Sequence, residues 1–300
     1  SPATTVGDPV VYIHRDYLTP TQTFNSGGTL GAELTNSYGN YNENFAAPTG
    51  GKAPNASVVC AHSVYLFHGD TYENSIHHPN RIRWSHPGQP GDYRANDYQD
   101  VGEGQGNDRI TSLVSTQGRL FIFKRHEVWV LDGFSAATFS ITKIADGVGC
   151  SNHHAAAAYL DGVVFFDEAL GLQRIVPQNR AWEVKDMWGD LSRAMDDGRL
   201  TDTDQAVVAT AGSKIAVSGM KWQGATLANR TWIHDENVGD GWWAYGVGFR
   251  CLARFIGTAG RQWIMGADPF TNEGGASTTY VGFLAIQGRL STDVDDRFDA

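Results

Sequence analysis

Histidine is the residue type whose spacing in this sequence comes closest to suggesting chemistry. Half of the ten histidines fall between positions 62 and 86, and a further two are adjacent: His62, His68, His77, His78, His86, then His153 and His154. Adjacent residues of a strand point to opposite faces, so neither doublet forms a chelating pair by itself. No histidine has a regular spacing to a cysteine or a carboxylate. The sequence therefore predicts no metal site and no cofactor.

Aspartate pairs are the other candidates for chemistry. They occur at Asp196-Asp197, at Asp202 and Asp204, and in the run DVDD at 293–296. Glycoside hydrolysis needs two carboxylates across one pocket, whereas MDDGRL and TDTD are typical of turns. The phosphate-binding pattern G-x-x-x-x-G-K-[ST] and the nucleophile pattern G-x-S-x-G do not occur. We therefore predict no catalytic residues and no enzymatic activity.

Tryptophan leaves one alternative function open. The chain has nine tryptophans, and Trp242, Trp243 and Tyr245 stand together in GDGWWAYG (239–246). Because indole rings stack on sugar rings, the alternative is a carbohydrate-binding or glycan-degrading β-propeller. Structural tryptophans in the strands are the commoner explanation, and we favour it.

Composition indicates which elements carry these residues. The hydrophobic fraction of 41% and the charged fraction of 19% are those of an ordinary globular protein. The 35 glycines, with 11 tyrosines and 14 phenylalanines, favour many short strands joined by tight turns. The net charge of -10 argues against a surface that grips nucleic acid, although DNA could pass without being bound. An all-β protein is predicted.

The cysteines and the hydropathy pattern bear on disulfide bonds, membrane spans and secretion. Cys60, Cys150 and Cys251 are far apart and odd in number, so we expect free thiols rather than a disulfide framework. No run of 18 apolar residues occurs, which predicts no membrane partner. The N-terminal SPATTVGDPVV lacks the pattern of a signal peptide.

One pattern recurs along the chain: a small or β-branched strand, a polar or glycine turn, and a strongly apolar strand. The five copies are spaced by 44 to 55 residues: VVCAHSVYLF (58–67), SLVSTQGRLFIF (112–123), AAAAYLDGVVFF (155–166), AVVATAGSKIAV (206–217) and CLARFIGTAGRQWIM (251–265). A period of about fifty residues matches one four-stranded propeller blade. In each blade the hairpin should supply the two inner strands, and the more polar residues that follow should supply the outer two.

The predicted fold is therefore a β-propeller of five to six four-stranded blades with long loop insertions, forming a single domain over 1–300. A sixth blade would begin at VVYIHRDYL (10–18). Helical periodicity occurs only in DMWGDLSRAMDDG (186–198), which predicts one short helix. The Gly-, Asn- and Pro-rich segment 24–55 is expected to be a long loop, or an arm that docks on a neighbouring subunit.

One stretch resembles a known family. RIRWSHPGQPGDY (81–93) joins an arginine-flanked strand ending in Trp-Ser to a Pro-Gly-x-Pro loop and an aromatic residue. It resembles a sequence that recurs in virion proteins of tailed bacteriophages, particularly the propeller-bearing tail nozzle, or tail tubular B-like, proteins of short-tailed phages. The likeness covers roughly 80–175, where Gly149-Cys150, Phe165-Phe166 and Gly171 take the family's positions.

The resemblance implies a structural role in the virion and no catalytic residue. A nozzle of this kind is a homo-oligomeric ring below the tail adaptor, and its channel carries the genome out. The expected partners are other copies of the chain, neighbouring tail proteins such as an adaptor, and DNA in transit. The protein would be made in the host cytoplasm and reside in the phage tail. An acidic channel wall would repel DNA phosphates, so we expect acidic residues to concentrate along one face.

Overall fold

The computed structural model describes residues 53–73, 75–102, 108–178, 181–225, 230–239, 241–246, 248–256, 262–271 and 277–284. The chain divides into two units, Ser1–Thr49 and Gly50–Ala300, and all described residues belong to the second. The blade expected from 10–18 and most of the arm expected at 24–55 lie outside the described residues. The single-domain expectation stays a prediction.

Four antiparallel sheets of four strands and one of three follow each other along the chain. Sheet 1 contains β1 (Asn55–His62), β2 (Tyr65–Glu73), β3 (Ile76–Trp84) and β4 (Tyr98–Asp100). Sheet 2 contains β5 (Ile110–Thr116), β6 (Arg119–Lys124), β7 (Glu127–Asp132) and β8 (Ser140–Asp146). Sheet 3 contains β9 (Ala156–Tyr159), β10 (Gly162–Asp167), β11 (Gly171–Gln178) and β12 (Ala181–Asp186).

The remaining strands follow a short helical connection. This connection holds a 3₁₀ turn (Gly189–Leu191), helix α1 (Ser192–Asp196), β13 (Leu200–Thr201) and a second 3₁₀ turn (Thr203–Gln205). Sheet 4 contains β14 (Val207–Ala211), β15 (Lys214–Ser218), β17 (Thr231–Asp235) and β18 (Trp242–Tyr245), and β16 (Lys221–Trp222) pairs with β13. Sheet 5 contains β19 (Cys251–Ile256), β20 (Gln262–Thr271) and β21 (Ser277–Leu284).

These sheets are the blades of a β-propeller, and the fold-class prediction is confirmed. Each of the five predicted hairpins forms the first two strands of one sheet. The first strands of consecutive sheets contact one another, β1 with β5, β5 with β9, β9 with β14, and β14 with β19. They are therefore the innermost strands, and the later strands of each sheet extend outward.

Apolar side chains between neighbouring sheets form the core. The largest cluster joins sheets 2, 3 and 4 and includes the fully buried Phe123, Phe165, Phe166 and Trp188. A second cluster packs sheet 1 against sheet 2, and a third packs sheet 4 against sheet 5. The predicted short helix is confirmed as α1. It follows Trp188 and packs beside the largest cluster through Ala194.

Candidate functional site

In each sheet the turns between the first and second strands, and between the third and fourth, lie at one edge, because the strands run alternately up and down. We call this edge the turn face. Its inner turns in sheets 1 to 4 are Ser63-Val64, Gln117-Gly118, Leu160-Asp161 and Gly212-Ser213. Its outer turns include 133–139 in sheet 2 and 236–241 in sheet 4.

Polar latches join the innermost strands of consecutive sheets close to the turn face. Nδ1 of His62 lies 2.8 Å from Oγ of Ser115, linking sheets 1 and 2. The hydroxyl of Tyr159 donates to the carbonyl of Ser213 at 2.7 Å, linking sheets 3 and 4. The hydroxyl of Thr210 donates to the carbonyl of Ala158 at 2.6 Å across the same gap.

The opposite edge is latched in the same way. Thr111 donates to the carbonyl of Cys150 at 2.6 Å. The side-chain amide of Asn152 donates to the carbonyls of Asp204 and Ala206, each at 2.9 Å. Sheets 3 and 4 are therefore joined at both edges, and sheets 2 and 3 at this edge, by hydrogen bonds whose partners lie about 40 to 55 residues apart.

Ion pairs add links between sheets nearer to the surface. Arg125 donates two hydrogen bonds, at 2.9 and 2.6 Å, to the carboxylate of Glu168 in the next sheet. Arg174 of sheet 3 reaches Glu236 of sheet 4 at 3.3 Å. Exposed pairs of this kind contribute only about 0 to 1 kcal/mol each, so the latches, most of which are buried or partly buried, are the stronger restraint.

The centre of the described sheets is almost uncharged. Among the five innermost strands, Arg254 is the single Asp, Glu, Lys or Arg. The strands β9 and β14 consist mostly of small residues, AAAY and VVATA, which allow close approach. The carboxylates of the described sheets therefore lie outside the innermost strands, and the acidic face expected of an assembled ring stays a prediction.

A passage through one propeller would also be narrow. Neighbouring innermost strands approach within 8 Å between Cα atoms. The innermost strands of the described sheets therefore lie close together around the centre.

The residues that carry the phage resemblance are structural. Trp84 packs in the cluster between sheets 1 and 2, and Ser85 accepts a hydrogen bond from the main chain of Leu66 at 2.9 Å. Tyr93 is fully buried, and its hydroxyl lies 2.6 Å from Nε2 of His68. The Pro-Gly loop thus folds back over the face of sheet 1 that points away from sheet 2.

The glycines and phenylalanines that match the phage family's pattern also have packing roles. Gly149 lies against the main chain, where a Cβ would come within 2.2 Å of the Lys124 carbonyl oxygen. Gly171 has a φ of 81° and faces the ring of Trp188. Phe165 and Phe166 are fully buried in β10. All of these positions require a small or an apolar residue for packing.

The histidines do not gather into a metal site within the described ranges, where no three potential ligands come together. His62 and His68 bind Ser115 and Tyr93, and His77 binds Asp70. His153 and His154 lie in a turn rather than a strand, and their ring centroids are 3.6 Å apart. The strand argument used for that doublet was therefore wrong, because the turn brings both rings to one side.

Asp197, Asp202 and Asp204 lie in or beside turns, as predicted, whereas Asp196 is the last residue of α1. Asp197 caps the end of α1 and pairs with Arg199 at 2.5 Å. Asp202 has a φ of 57° and pairs with Lys221 at 2.6 Å. The run at 293–296 lies outside the described residues.

The tryptophans face inward for the most part. Trp84, Trp188 and Trp232 are buried, while Trp243 is 38% exposed. Trp242 is partly buried against the largest core cluster, and its indole N–H donates to the carbonyl of Met187 at 3.0 Å. Among the described residues, Trp243 is the tryptophan most available to stack on a sugar.

Four exposed apolar side chains mark the turn face, and the sequence patterns did not single them out. They are Phe134, Val238, Val64 and Leu160, with 82%, 67%, 56% and 51% of their surface exposed. Leu160 also has a φ of 46°, a conformation that suits Gly or Asn. The available signal was an apolar residue at turn positions where polar residues are usual.

Contacts connect these four turn-face residues into one surface. The carbonyl of Val64 accepts a hydrogen bond from Gly88 at 2.8 Å, and the neighbouring Tyr65 packs edge-on against Phe139 of the turn that holds Phe134. Gln117 donates to the carbonyl of Leu160 at 3.3 Å. Tyr159, which precedes Leu160, binds Glu236 in the turn that holds Val238.

Within the described part of the chain, no helix is long and apolar enough to span a membrane. No family model matches the chain, and no curated protein matches it. Among solved structures, the chain is similar to the β-propeller domain of Cps50 (Swd1) from Myceliophteria thermophila. The identity is 9%, the TM-score is 0.47, and the match covers 81% of this chain and 70% of the other. A likeness at this level carries no information about binding or assembly.

Proposed function

We propose that this chain is a structural component of the tail of a tailed bacteriophage, a nozzle or ring protein without enzymatic activity. It would assemble with copies of itself and with neighbouring tail proteins such as an adaptor. The proposal combines the resemblance over 80–175 with the structural roles of the residues that carry it. On this proposal, the residues that this chain shares with nozzle proteins maintain the fold and do not form a reactive site.

The observation that carries the proposal is the latching of consecutive sheets at both edges. Thr111 and Asn152 join sheets 2, 3 and 4 at one edge, and Tyr159 joins sheets 3 and 4 at the other. A blade joined at both edges resists sliding and splaying, because either motion breaks buried or partly buried hydrogen bonds. That property suits a part that must keep its shape while a pressurised genome passes.

Because the centre of the described sheets carries almost no charge, we place the DNA conduit between copies of the chain and not inside one propeller. A ring of several copies would enclose the DNA between them, with each propeller forming a segment of the wall. DNA would pass without specific binding, since the chain carries a net charge of -10.

The test is immunogold labelling of phage particles from the source culture, with an antibody raised against the purified chain. We expect gold at a single vertex or along the tail, and no gold when the antibody has been absorbed with the chain beforehand. Protein found only free in the cells or the supernatant, with particles unlabelled, would reject the tail role.

A glycan array addresses the carbohydrate-binding alternative on the same preparation. We expect no signal above that of a control protein. Binding that disappears in Trp243→Ala, with the melting temperature unchanged, would favour the alternative instead, because Trp243 is the exposed indole of the described sheets.

A further inference from the structure

Sheet 1 is held on both of its faces by a buried histidine ring. His62 is 3% exposed and lies on the face toward sheet 2, whereas His68 is 6% exposed and lies on the face that the Pro-Gly loop covers. Each ring is itself the bonded group. Nδ1 of His62 lies 2.8 Å from Oγ of Ser115, and Nε2 of His68 lies 2.6 Å from the hydroxyl of Tyr93. Protonation of either ring therefore acts directly on a contact that holds sheet 1.

The latches between sheets 2, 3 and 4 use side chains that do not titrate near neutral pH. They are formed by Thr111, Asn152, Tyr159 and Thr210. His234 is the third buried histidine of the described sheets, and it bonds to a carbonyl within its own sheet. Mild acid should therefore affect sheet 1 more than the joins among sheets 2 to 4.

The apolar core is divided at the same place. The cluster that packs sheet 1 against sheet 2 includes Phe67, Ile82 and Leu120. Phe121, the next residue of β6, belongs instead to the largest cluster, on the other face of sheet 2. Sheet 1 can therefore leave its own cluster without breaking the packing among sheets 2, 3 and 4.

The direction of the pH effect follows from the two rings. Burial lowers the pKa of His62, and burial together with the Arg83 guanidinium lowers the pKa of His68 to about 4. In an opened sheet both rings would meet water, where the ordinary histidine pKa is about 6.5. The opened form then binds more protons than the closed form, so a fall in pH below about 6.5 favours opening.

Other ionisable groups lie on the elements around the two rings. Arg83 pairs with Glu73 beside His68, and its positive charge opposes a proton on that ring. Burial raises the pKa of the Cys60 thiol, which stays neutral in acid. The remaining groups lie in sheet 1, in the Pro-Gly loop and just before β5, and they are Asp70 with His77, Asp92, Arg94, Asp97 and Arg109.

We infer that sheet 1 and its Pro-Gly loop form an acid-sensitive unit, which opens when His62 and His68 take up protons while sheets 2 to 4 stay folded. Proteins commonly open in cooperative units of this size, often one supersecondary motif at a time. Such opening would be a property of the purified chain, whatever the labelling of particles shows for the tail role.

Two cysteines report separately on the two regions. Cys60 lies in β1 and packs against the cluster between sheets 1 and 2, whereas Cys150 is fully buried where sheets 2 and 3 meet. The protein for the experiment is the full chain with Cys251→Ser, and the probe is a dipyridyl disulfide, which modifies thiols in acid as well as at neutral pH. Each rate is divided by the rate of the same cysteine in urea-unfolded chain at that pH.

The two thiols should respond differently to acid. Between pH 7 and pH 5 we expect the relative rate of Cys60 to rise by about tenfold or more, and that of Cys150 to change by less than about twofold. Unfolding of the whole chain would accelerate both thiols together. Equal acceleration of the two, or no acceleration of Cys60, would overturn the inference, and this comparison requires no variant of either histidine.

His62→Gln and His68→Gln each remove one titrating ring, and glutamine can still form a hydrogen bond at either position. The rise for Cys60 should be smaller in both variants, by about threefold or more in His68→Gln. His126→Gln is the matched control, because that ring is exposed in sheet 2, and it should leave the rise within about twofold of the parent. An unchanged rise in both ring variants would also overturn the inference.

Discussion

The hydroxyl of Tyr93 and the imidazole of His68 form a buried pair, with 2.6 Å between the oxygen and Nε2 and a T-shaped ring contact. Tyr93 belongs to the Pro-Gly loop, and His68 belongs to β2, so this contact holds the loop against sheet 1. Burial, helped by the nearby Arg83 guanidinium, lowers the pKa of His68 to about 4. The imidazole is therefore neutral at neutral pH.

This pair predicts a loss of stability in mild acid. The unfolded chain takes up a proton at an ordinary histidine pKa of about 6.5, whereas the folded chain does so only near 4. The free energy of unfolding should therefore fall as the pH is lowered from about 6.5 to 4, by about 2 to 3 kcal/mol for this group. Urea titrations at several pH values measure the slope.

His68→Gln is the matched variant for that slope. It should be less stable than the parent at pH 7, and its pH dependence between 6.5 and 4 should be shallower. His62 and His153, whose pKa values are also lowered by burial, remain in both proteins and contribute to the residual slope. Equal slopes in parent and variant would contradict the assignment of His68.

Gly171→Ala should be strongly destabilising. The glycine has a φ of 81°, and an added Cβ would lie 2.4 Å from the ring of Trp188. Gly118 has a similar φ of 73° with open space around it, so Gly118→Ala reports the backbone cost alone. We expect about 1 kcal/mol for Gly118→Ala and at least about 2 kcal/mol more for Gly171→Ala. Chemical denaturation of both variants gives the difference, and equal losses would argue against the contact with Trp188.

Thr111→Val tests the latch between sheets 2 and 3. The substitution keeps the side-chain volume and removes the donor to the Cys150 carbonyl, which stays buried. We expect a loss of about 1 to 3 kcal/mol in the free energy of unfolding. Thr142 is exposed in β8, and Thr142→Val should change stability by no more than about 0.5 kcal/mol. A neutral Thr111→Val would mean that this latch does not restrain the sheets.

The cysteines should differ sharply in reactivity. All three are free thiols, which confirms the prediction of no disulfide among them. Burial raises the pKa of Cys150 to about 12 and also raises the pKa of Cys60, while Cys251 is exposed. A thiol reagent at pH 8 should therefore modify Cys251 first and Cys150 only after unfolding. Cys251→Ser should remove the fast phase, and a fast phase that persists would be inconsistent with this arrangement.

The sequence alone predicted the repeat and the position of each of its hairpins. Each predicted hairpin is an apolar pair of strands next to a turn, as at Ser115 to Phe121, and these local signals coincide with the first two strands of all five sheets. Their apolar side chains cover both faces, since neighbouring blades pack on each side. The sixth blade remains a prediction, as do the tail location, the partners and the absence of enzymatic activity.

The candidate surfaces could not be found in the same way. The latches use His, Ser, Thr, Asn and Tyr side chains whose partners, mostly main-chain carbonyls, belong to a neighbouring sheet or its flanking loop, and no local pattern reveals such a pairing. Leu160 looks like an ordinary strand residue until its φ places it in a turn. The acidic face expected on the assembled ring stays a prediction, because net charge says how many carboxylates a chain has and not which surface carries them.

The consecutive order of the sheets has a consequence for synthesis. Every described sheet is complete within one continuous stretch of sequence, and its core contacts are with the sheets next to it. A nascent chain can therefore finish one blade and add the next to it without waiting for its C-terminus. The described blades would then fold one after another during translation, in the order of sheets 1 to 5. A chain whose synthesis stops midway would contain folded blades, and the last of them would lack the neighbour that normally packs against it.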